Sequence, residues 1–368
     1  MLGKTPDFDS RCQWRYCFNK MFRGLSVLPY SRKWVNTRRR TLTILRNIGM
    51  GRSSMEGKIH EETQILMECM LEASNDGIVN FEPRDMMRRA PMNTIWSIIF
   101  GKRYDYGNPY LLYVMNTVVW LVDFLAKASV FDVLPSSLRH MAGFSLETFH
   151  RKLDTLHGFM TDRVAEHKKS YESDVTRDFV DAWMEASKRE KVNKTALDDS
   201  DEISCLPDVI QDIIIAGAHS TGVVFNWAIL LLVLNKKEQD LCYREIMENV
   251  GSTREISMSN RNEKVFPEPD KFNPDRWINE KGGFRKELLQ HFFPFGIGKR
   301  SCAGESLARA NLFIVVATLL QHLELLMPDE TAAANMQPEV KHKFGLIAEC
   351  KPFLMRVKKR PTATQQFQ

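Results

Sequence analysis

The chain has 368 residues, 43% of them hydrophobic, and a formal net charge of +5 at pH 7. A chain of this length and composition buries a large core, which excludes a disordered or low-complexity protein. The charge is modest for this size, so it does not by itself indicate a nucleic-acid partner, and we expect none. A basic face toward an acidic protein or a membrane surface is as plausible, and composition leaves these open.

The cysteines are scattered along the chain, odd in number, and contain no C-x-x-C pair. This pattern argues against both a disulfide framework and a structural zinc site, and so favours a reducing compartment. The opening residues, MLGKTPDFDSRCQWRYC, carry charges every few positions and contain no apolar run. We therefore expect neither a signal peptide nor an N-terminal anchor.

Helical patterns dominate the chain up to Pro267, because Gly and Pro are sparse before that point. Apolar residues recur at helical spacing in the first segments, and each predicts an amphipathic helix that packs on one core. A turn is predicted at Tyr104 to Gly107, and a charged surface connection at Lys188 to Glu202. Helical character is predicted for Trp34 to Leu45, Ser53 to Ala73, Arg88 to Val130 and His140 to Lys169.

One internal segment, Ile213 to Leu234, is apolar enough to raise the alternative of a membrane span. Polar residues interrupt it at His219, Ser220, Thr221 and Asn226. A helix buried inside a large helical protein produces the same hydropathy signal, and we favour that interpretation.

The sequence becomes irregular after Phe266, where prolines and a Gly-Gly pair in FPEPDKFNPDRWINEKGGF forbid a continuous helix. This segment leads into a loop that contains Cys302. The tail beyond it includes Phe353 to Lys359, which is predicted to form a strand. Together these patterns predict a fold that is mainly α with small β elements, in a single domain over residues 1–368.

A short segment near the C-terminus, FGIGKRSCAG, holds Cys302 in a setting that favours a thiolate. Lys299 and Arg300 precede the cysteine, and Gly304 opens an apolar helix whose first N–H groups support a negative charge. The alternative is that Cys302 is a small buried hydrophobe, as most cysteines in intracellular chains are. The residues around it favour a metal ligand.

Read as F-x-x-G-x-R-x-C-x-G, this segment resembles the haem-binding loop of the cytochrome P-450 family, with Phe295, Gly298, Arg300, Cys302 and Gly304 in register. The resemblance implies that these residues bind a haem cofactor and that the Cys302 sulfur is the axial ligand of its iron. It also implies that Arg300 pairs with a haem propionate. Glycines suit this position because they let a backbone pass close to a flat macrocycle.

A W-x-x-x-R pattern at Trp34 and Arg38 is similar to the helix with which the same family holds haem propionates. Residues four apart lie about one turn apart, so both side chains share one face of the predicted helix. The resemblance implies that Trp34 and Arg38 bind the cofactor. Taken alone, the pattern is also typical of a stacked surface pair.

The stretch AGAHST, Ala216 to Thr221, resembles the oxygen-activating part of the family's long helix, which usually reads A-G-x-(Asp or Glu)-Thr. Here a histidine stands in place of the acid and a serine in place of the threonine. The resemblance implies that His219, Ser220 and Thr221 manage protons for dioxygen, since hydroxyls hydrogen-bond it and an imidazole exchanges protons near neutral pH. The alternative for His219 is a satisfied core histidine.

One feature of the family is missing from the sequence. The segment FNPDRW, Phe272 to Trp277, is similar to the family's F-x-P-E-R-F, in which Arg276 would join the Glu and Arg of an E-x-x-R helix. No Glu in this chain is followed by Arg three residues later. Only 31 residues, Asn235 to Val265, lie between the apolar helix and Phe266. We therefore expect that a block of the family's sequence is deleted here and that the chain forms an incomplete version of the family's fold.

The resemblance covers about residues 34–249 and 266–357 and is closest to the microsomal drug- and steroid-metabolising branch. We expect the family's membrane anchor, first helices and most of its sheet to lie outside this chain. The implied location is the cytoplasmic face of the endoplasmic reticulum membrane, or the cytoplasm if the protein has no anchor.

The implied activity is that of a haem-thiolate monooxygenase, which inserts one atom of dioxygen into an apolar substrate of the xenobiotic, steroid or fatty acid type. Electrons would come from an NADPH-dependent reductase whose acidic face docks on Lys299 and the basic helix around Arg38. One alternative is an inactive, truncated or splice-derived remnant that at most binds haem. Another is a membrane-spanning interaction protein built on Ile213 to Leu234.

Overall fold

The computed structural model describes residues 20–50, 53–128, 146–173, 175–193, 205–252, 293–296, 298–333 and 347–361. Within these ranges the protein is mostly helical with one small sheet, so the prediction of a mainly α fold with small β elements is confirmed. The helices are α1 (Arg32–Asn47), α2 (Ser53–Ser74), α3 (Arg84–Phe100), α4 (Pro109–Ala128), α5 (Leu146–Lys169), α6 (Phe179–Asn193), α7 (Leu206–Leu234), α8 (Lys236–Asn249), α9 (Glu305–His322) and α10 (Glu330–Ala333). The strands are β1 (Leu323–Leu326) and β2 (Arg356–Lys359).

Helix α7 is the longest described helix, with 29 residues, and packs against α3, α5, α8 and α9. Its apolar side chains, including Ile210, Ile214, Phe225 and Ile229, are buried in this contact. The helix is long and apolar enough to cross a membrane by composition, yet 61% of its most apolar window is buried inside the protein. This packing fits a core helix, as the sequence interpretation favoured.

Helices α3 and α7 run close together because glycines remove side chains from their contact. A Cβ atom on Gly217 would lie 2.6 Å from Ile95 Cδ1, and one on Gly222 would lie 3.0 Å from Arg88 Cα. Farther along, the Asn226 side chain donates a hydrogen bond to the carbonyl of Arg84. The two helices are therefore antiparallel along this contact, and their packing fixes the position of the central turn of α7.

The chain before α1 lies against the first turns of α7. Gln211 donates a hydrogen bond to the carbonyl of Met21 at 3.0 Å. Helix α1 then begins after Ser31, whose hydroxyl accepts a hydrogen bond from the Trp34 N–H at 3.2 Å and so satisfies a first-turn donor. This cap aims the buried Trp34 toward the centre of the protein.

The small sheet closes the protein beside the end of α9. Strand β1 pairs antiparallel with β2, with Leu323 opposite Lys359 and Leu326 opposite Arg356. A single bridge between Phe81 and Met355 extends the same edge. Strand β2 lies inside the segment for which the sequence predicts a strand.

Several predicted features fall wholly or partly outside the described residues, among them the ends of the helical segments predicted at Arg88 to Val130 and His140 to Lys169. The segment Phe272 to Trp277, with Arg276, lies wholly outside the described residues. The charged connection predicted from Lys188 begins instead as the last turns of α6, which continues to Asn193. Lys, Arg and Glu are good helix formers, so the charged composition of these residues extends the helix.

Candidate cofactor site around Cys302

A large cavity lies between α1, α7, α9 and the loop that carries Cys302, and its volume is about 1440 Å³. Pockets for drug-sized ligands typically measure about 300 to 1,000 Å³, so this cavity has room for a macrocycle together with a small substrate. Most of the predicted site residues line it: Trp34, Arg38, Ser220, Thr221, Phe295, Arg300, Cys302 and Gly304. Gly298 shapes the loop without lining the cavity.

The Cys302 loop holds its shape through backbone conformation. Gly296 and Gly298 adopt φ angles of 69° and 78°, in the left-handed region that favours glycine. The Cys302 N–H donates a hydrogen bond of 2.8 Å to the carbonyl of Phe295 and closes the loop. The cysteine is exposed where the cavity begins, two residues before Gly304, which is the N-cap of α9. The helix N-terminus favours a negative charge at the sulfur.

Gly304 leaves an open space beside the Cys302 backbone. Apart from Gly304 itself, its two chain neighbours and the backbone of its own helix, no described atom lies within 4 Å of the place that a Cβ atom on Gly304 would take. Because Gly304 lines the cavity, this space belongs to the cavity, and a flat ligand can approach the backbone there.

Trp34 lies between two arginines at the polar edge of the cavity. The Arg300 Cζ atom is 4.0 Å from the centre of the Trp34 ring, and the Arg38 Cζ atom is 5.6 Å from it. Burial lowers the pKa of Arg38, while the nearby Cys302 has the opposite, smaller effect. Two cationic groups are thus held beside the cysteine, where they favour an anionic ligand.

The same arginines join distant parts of the chain. Arg300 donates hydrogen bonds to the carbonyls of Leu25 and Leu28 at 3.2 Å and 2.6 Å. The Trp34 indole N–H donates to the same Leu25 carbonyl at 3.0 Å. The Cys302 loop is therefore fixed to the segment that precedes α1.

The opposite wall of the cavity carries two hydroxyl groups from α7. Ser220 is exposed toward the cavity, and its hydroxyl donates a 2.6 Å hydrogen bond to the carbonyl of Ala216. Thr221 follows it and is mostly buried. A hydroxyl that donates to the helix backbone keeps its lone pairs, so Ser220 can still accept a hydrogen bond from a ligand.

His219 does not line the cavity with its neighbours. Successive residues of an α-helix point about 100° apart, and His219 is buried on another face, with 3% of its surface exposed. Its Nε2 lies 3.1 Å from Oε1 of Glu349, without meeting the geometry of a hydrogen bond. Sequence reasoning placed His219 beside the hydroxyls, whereas the structure places it behind them.

Sequence reasoning missed Asp212, which also lines the cavity about two turns before Ser220. Its carboxylate accepts hydrogen bonds from the N–H groups of Ser26 at 2.7 Å and Gly24 at 3.4 Å. Burial raises its pKa to about 6, although these two hydrogen bonds act in the opposite direction. An acid beyond the first turn of an otherwise apolar helix was the signal that would have found it.

The residues that line the cavity fit a haem group. An exposed thiol stands beside a glycine whose missing side chain leaves space, and two guanidinium groups lie at the polar edge. A haem presents the matching chemistry, with an iron that binds thiolate and propionates that bind arginine. The remaining walls are largely apolar, as the macrocycle requires.

Comparison with known proteins gives the same family. A family model described as Cytochrome P-450 matches residues 2–262 and 259–353. Cytochrome P-450 2H2 of Gallus gallus is 26% identical over 386 residues, which cover 87% of this chain and 76% of the relative. Cytochrome P-450 2C3 of Oryctolagus cuniculus is 27% identical over 368 residues, covering 84% and 73%. Cytochrome P-450 2J2 of Homo sapiens is 26% identical over 377 residues, covering 87% and 72%.

The family match spans most of the chain, including α1, α7 and the Cys302 loop. Members of this family are haem-thiolate monooxygenases whose cofactor is haem. The relatives named above belong to its microsomal part, which is associated with the endoplasmic reticulum membrane. The chain therefore belongs to the cytochrome P-450 family, in its microsomal drug- and steroid-metabolising branch.

Proposed function

We propose that this protein itself is a haem-dependent monooxygenase of apolar organic substrates, in which the Cys302 sulfur would bind the haem iron. The observation that carries this proposal is the exposed Cys302 thiol, which faces a cavity of about 1440 Å³ across from the hydroxyls of α7. One atom of dioxygen enters the substrate and the other becomes water.

The haem is held by residues from three parts of the chain. When bound, it supplies iron chemistry that activates dioxygen, and electron donation from a cysteine thiolate favours cleavage of the O–O bond. Arg38 and Arg300 pair with its propionates through charge-assisted hydrogen bonds, and Trp34 keeps the two guanidinium groups in place. Phe295, Gly298 and Gly304 shape the loop that would hold it.

The substrate is apolar, of the xenobiotic, steroid or fatty acid type. This assignment is supported by the apolar side chains that line the cavity. Burial of apolar substrate surface against them is favourable by about 25 cal/mol per Å². They include Leu45, Ile95, Ile99, Ile213 and Val224. Ser220 and Thr221 are the hydroxyls that manage protons at the reacting end, and His219 supports them from behind.

Electrons come from an NADPH-dependent reductase. The exposed cations around the Cys302 loop and on α1, among them Lys299, Arg32 and Arg39, form a basic face that suits an acidic partner. Such complementarity speeds association and fixes the orientation of the two proteins. We place the protein on the cytoplasmic face of the endoplasmic reticulum membrane, with no nucleic-acid partner.

The chain is proposed to fold as a single domain over residues 1–368. Support comes from α7, which contacts α3 and α5 from the first half of the chain and α9 from the second. The Cys302 loop also reaches back to Leu25 and Leu28 through Arg300. These contacts join described segments from both halves of the chain to one core.

A second candidate function is an inactive remnant that at most binds haem. The observation that favours it is the absence of any E-x-x-R pair from the sequence, which leaves Arg276 without its expected partners. A buried arginine that loses its carboxylate costs on the order of 3 to 5 kcal/mol, a large part of a typical domain's stability.

Spectroscopy of the reduced protein under carbon monoxide tests the proposal. We expect a thiolate-type Soret band that Cys302→Ala abolishes. Cys242→Ala is the matched control, because Cys242 lines the same cavity and should leave the band unchanged. A protein that takes up no haem would refute the enzyme assignment, and one that shows the band but no turnover with reductase would be the remnant.

A further inference from the structure

The basic run Arg38 to Arg40 faces two different parts of the protein. Arg38 lines the large cavity and donates a hydrogen bond of 2.7 Å to the Ser301 carbonyl. Arg39 and Arg40 lie farther around α1, because successive residues of a helix point about 100° apart, and they line a second cavity on the side of α6. Among the described residues, the two cavities share no lining residue. The proposed oxygen chemistry makes no use of the second one.

This second cavity is a groove of about 650 Å³ between α1 and α6, and we call it the α1–α6 groove. Its volume lies in the range of about 300 to 1,000 Å³ that is typical of sites for small organic ligands. The side chains that matter for the argument are Arg32, Asn36, Arg39 and Arg40 on α1, with Trp183 and Arg189 on α6.

Cations outnumber acids in the groove. Four arginines line it, and Glu185 is the one acid among the described lining residues. Both oxygens of this carboxylate accept hydrogen bonds on the α6 side, from Arg189 at 2.9 Å and from the Tyr171 hydroxyl at 2.7 Å. Arg32 and Arg39 are exposed and contact no acid within the described part of the chain. The α1 wall therefore presents positive charge that Glu185 does not neutralise.

Arg40 reaches across the floor of the groove. Its Cζ atom lies 5.1 Å from the centre of the Trp183 ring, and its Nη1 donates a hydrogen bond of 3.4 Å to the Ser187 hydroxyl. Trp183 itself is fully buried. These contacts hold the Arg40 side chain in one orientation, so that a ligand that binds it pays less for side-chain ordering.

The chemistry of the groove matches phosphate. A guanidinium presents parallel N–H donors that fit two phosphate oxygens, and Asn36, Thr43 and Asn47 add neutral donors along the same wall. Arg32 and Arg40 are eight residues apart, or about 12 Å along the helix axis. The groove thus has room for two phosphate groups, or for one phosphate on an organic body.

We propose that the α1–α6 groove is a binding site for a phosphate-bearing anion, which is either the headgroup of an anionic phospholipid or a soluble phosphorylated compound. The phosphate oxygens accept hydrogen bonds from Arg39 and Arg40 on one wall and from Arg189 on the other. No covalent bond forms or breaks. The site is independent of the proposed function, because its residues do not line the cofactor cavity.

Calorimetric titration of the full chain with inorganic pyrophosphate, at physiological ionic strength, tests the proposal. Arg39→Gln and Arg189→Gln each remove a cation from one wall. We expect each to weaken binding by about tenfold, near the lower end of what a hydrogen bond to a charged group contributes. Arg46→Gln is the matched control and should bind as the natural protein does, because Arg46 is exposed on the same helix and does not line the groove. Arg39→Lys should recover part of the affinity, since an ammonium keeps the charge without the fork of donors.

Chemical modification locates the bound anion without any substitution. Phenylglyoxal reacts with accessible guanidinium groups, and mass spectrometry identifies the modified residues. Pyrophosphate should protect Arg39 and Arg189 from the reagent and leave Arg46 as reactive as before. Equal protection of all three, or protection of none, would contradict the proposal.

Lipid vesicles distinguish the two sources of the phosphate. Binding to phosphatidylcholine vesicles that contain phosphatidic acid, but not to phosphatidylcholine alone, would identify a lipid headgroup if both groove variants weaken it. Pyrophosphate binding without vesicle binding would identify a soluble compound. Either result supports the site.

Other results would refute it. The proposal is wrong if neither pyrophosphate nor phosphatidic acid vesicles bind, if the groove variants bind as the natural protein does, or if Arg46→Gln weakens binding equally, as general attraction to a basic protein predicts. If the groove variants slow reduction by the reductase but leave pyrophosphate binding unchanged, the groove belongs to a protein-docking face and the proposal is also wrong. A missing thiolate-type Soret band would refute the proposed function and leave this site unaffected.

Discussion

At the scale of single residues, Trp34 organises the polar edge of the cavity. Its ring contacts Arg38 and Arg300, and its indole N–H holds the Leu25 carbonyl to which Arg300 also donates. A guanidinium on an aromatic face contributes about 0.5 to 2 kcal/mol, depending on its exposure to water. The two cations are therefore held beside the cysteine by contacts with the Trp34 ring and with backbone carbonyls.

Asp212 provides a prediction at the same scale. The pKa of its carboxyl is about 6 in the folded protein and near 3.8 in an unfolded chain, because burial disfavours the charged form. The folded state thus binds this proton more tightly, so the stability that it contributes is complete below pH 3.8 and is lost as the pH rises to about 6.

We expect Asp212→Asn to remove this part of the pH dependence. The free energy of unfolding of the variant, relative to the natural protein, should rise by on the order of 3 kcal/mol between pH 4 and pH 7. Denaturant unfolding at a series of pH values measures it. Asp162→Asn, at an exposed position of α5, changes the formal charge equally and should show no such rise. A flat difference for Asp212→Asn would contradict the prediction.

At the scale of elements, the contact between α3 and α7 depends on glycines whose neighbours differ. A Cβ atom on Gly222 would meet backbone atoms, Arg88 Cα at 3.0 Å and the Met87 carbonyl at 3.1 Å. One on Gly217 would meet only the end of the Ile95 side chain, which can rotate. A Cβ atom on Gly158 in α5 would meet nothing within 4 Å.

These neighbours predict an order of stability for three alanine variants. Gly222→Ala should destabilise the protein by about 1 to 3 kcal/mol, because helix backbones cannot separate without loss of packing. Gly217→Ala should lie near zero, since the gain in helix propensity of about 1 kcal/mol offsets the strain. Gly158→Ala should stabilise by about 0.5 to 1 kcal/mol. Thermal unfolding ranks the three, and a Gly222→Ala variant as stable as Gly158→Ala would contradict the packing.

Much at this scale could be predicted from local pattern. Helix α2 begins at Ser53 as predicted. Helix α1 extends the prediction by two residues at each end, and Ser31 caps its N-terminal end. The Cys302 loop and the helix after Gly304 follow from glycine and apolar spacing, which are local properties. The local sequence also predicted a strand where β2 lies.

The parts that could not be predicted depend on contacts between distant segments. His219 was expected at the cavity. The packing of α3 and the contact with Glu349 decide on which face of α7 it lies, and the local sequence does not predict either contact. Asp212 likewise finds its partners in the backbone of Gly24 and Ser26. A periodic hydrophobic pattern predicts which side chains are buried, but not which residues they contact.

At the scale of the whole molecule, the cavity separates parts of the chain that a bound group would join. Its walls include α1, α7, α9 and the Cys302 loop, and direct contacts such as that of Arg38 with the Ser301 carbonyl bridge these four only at the edge of the cavity. A group that fills the cavity and binds Cys302 would add contacts between all four. Any ligand that binds only the folded state stabilises it by mass action, about 2.7 kcal/mol at a concentration of 100 Kd.

Haem should therefore stabilise the fold more than a macrocycle without iron. We expect haem to raise the Tm of the apoprotein by several degrees, and metal-free protoporphyrin to raise it less, because protoporphyrin fills the cavity and meets Arg38 and Arg300 but forms no bond to sulfur. Cys302→Ala should reduce the haem shift to that of protoporphyrin, whereas Cys242→Ala should preserve the difference. Equal shifts for the two macrocycles in the natural protein would mean that the cavity binds the ring without ligation by Cys302.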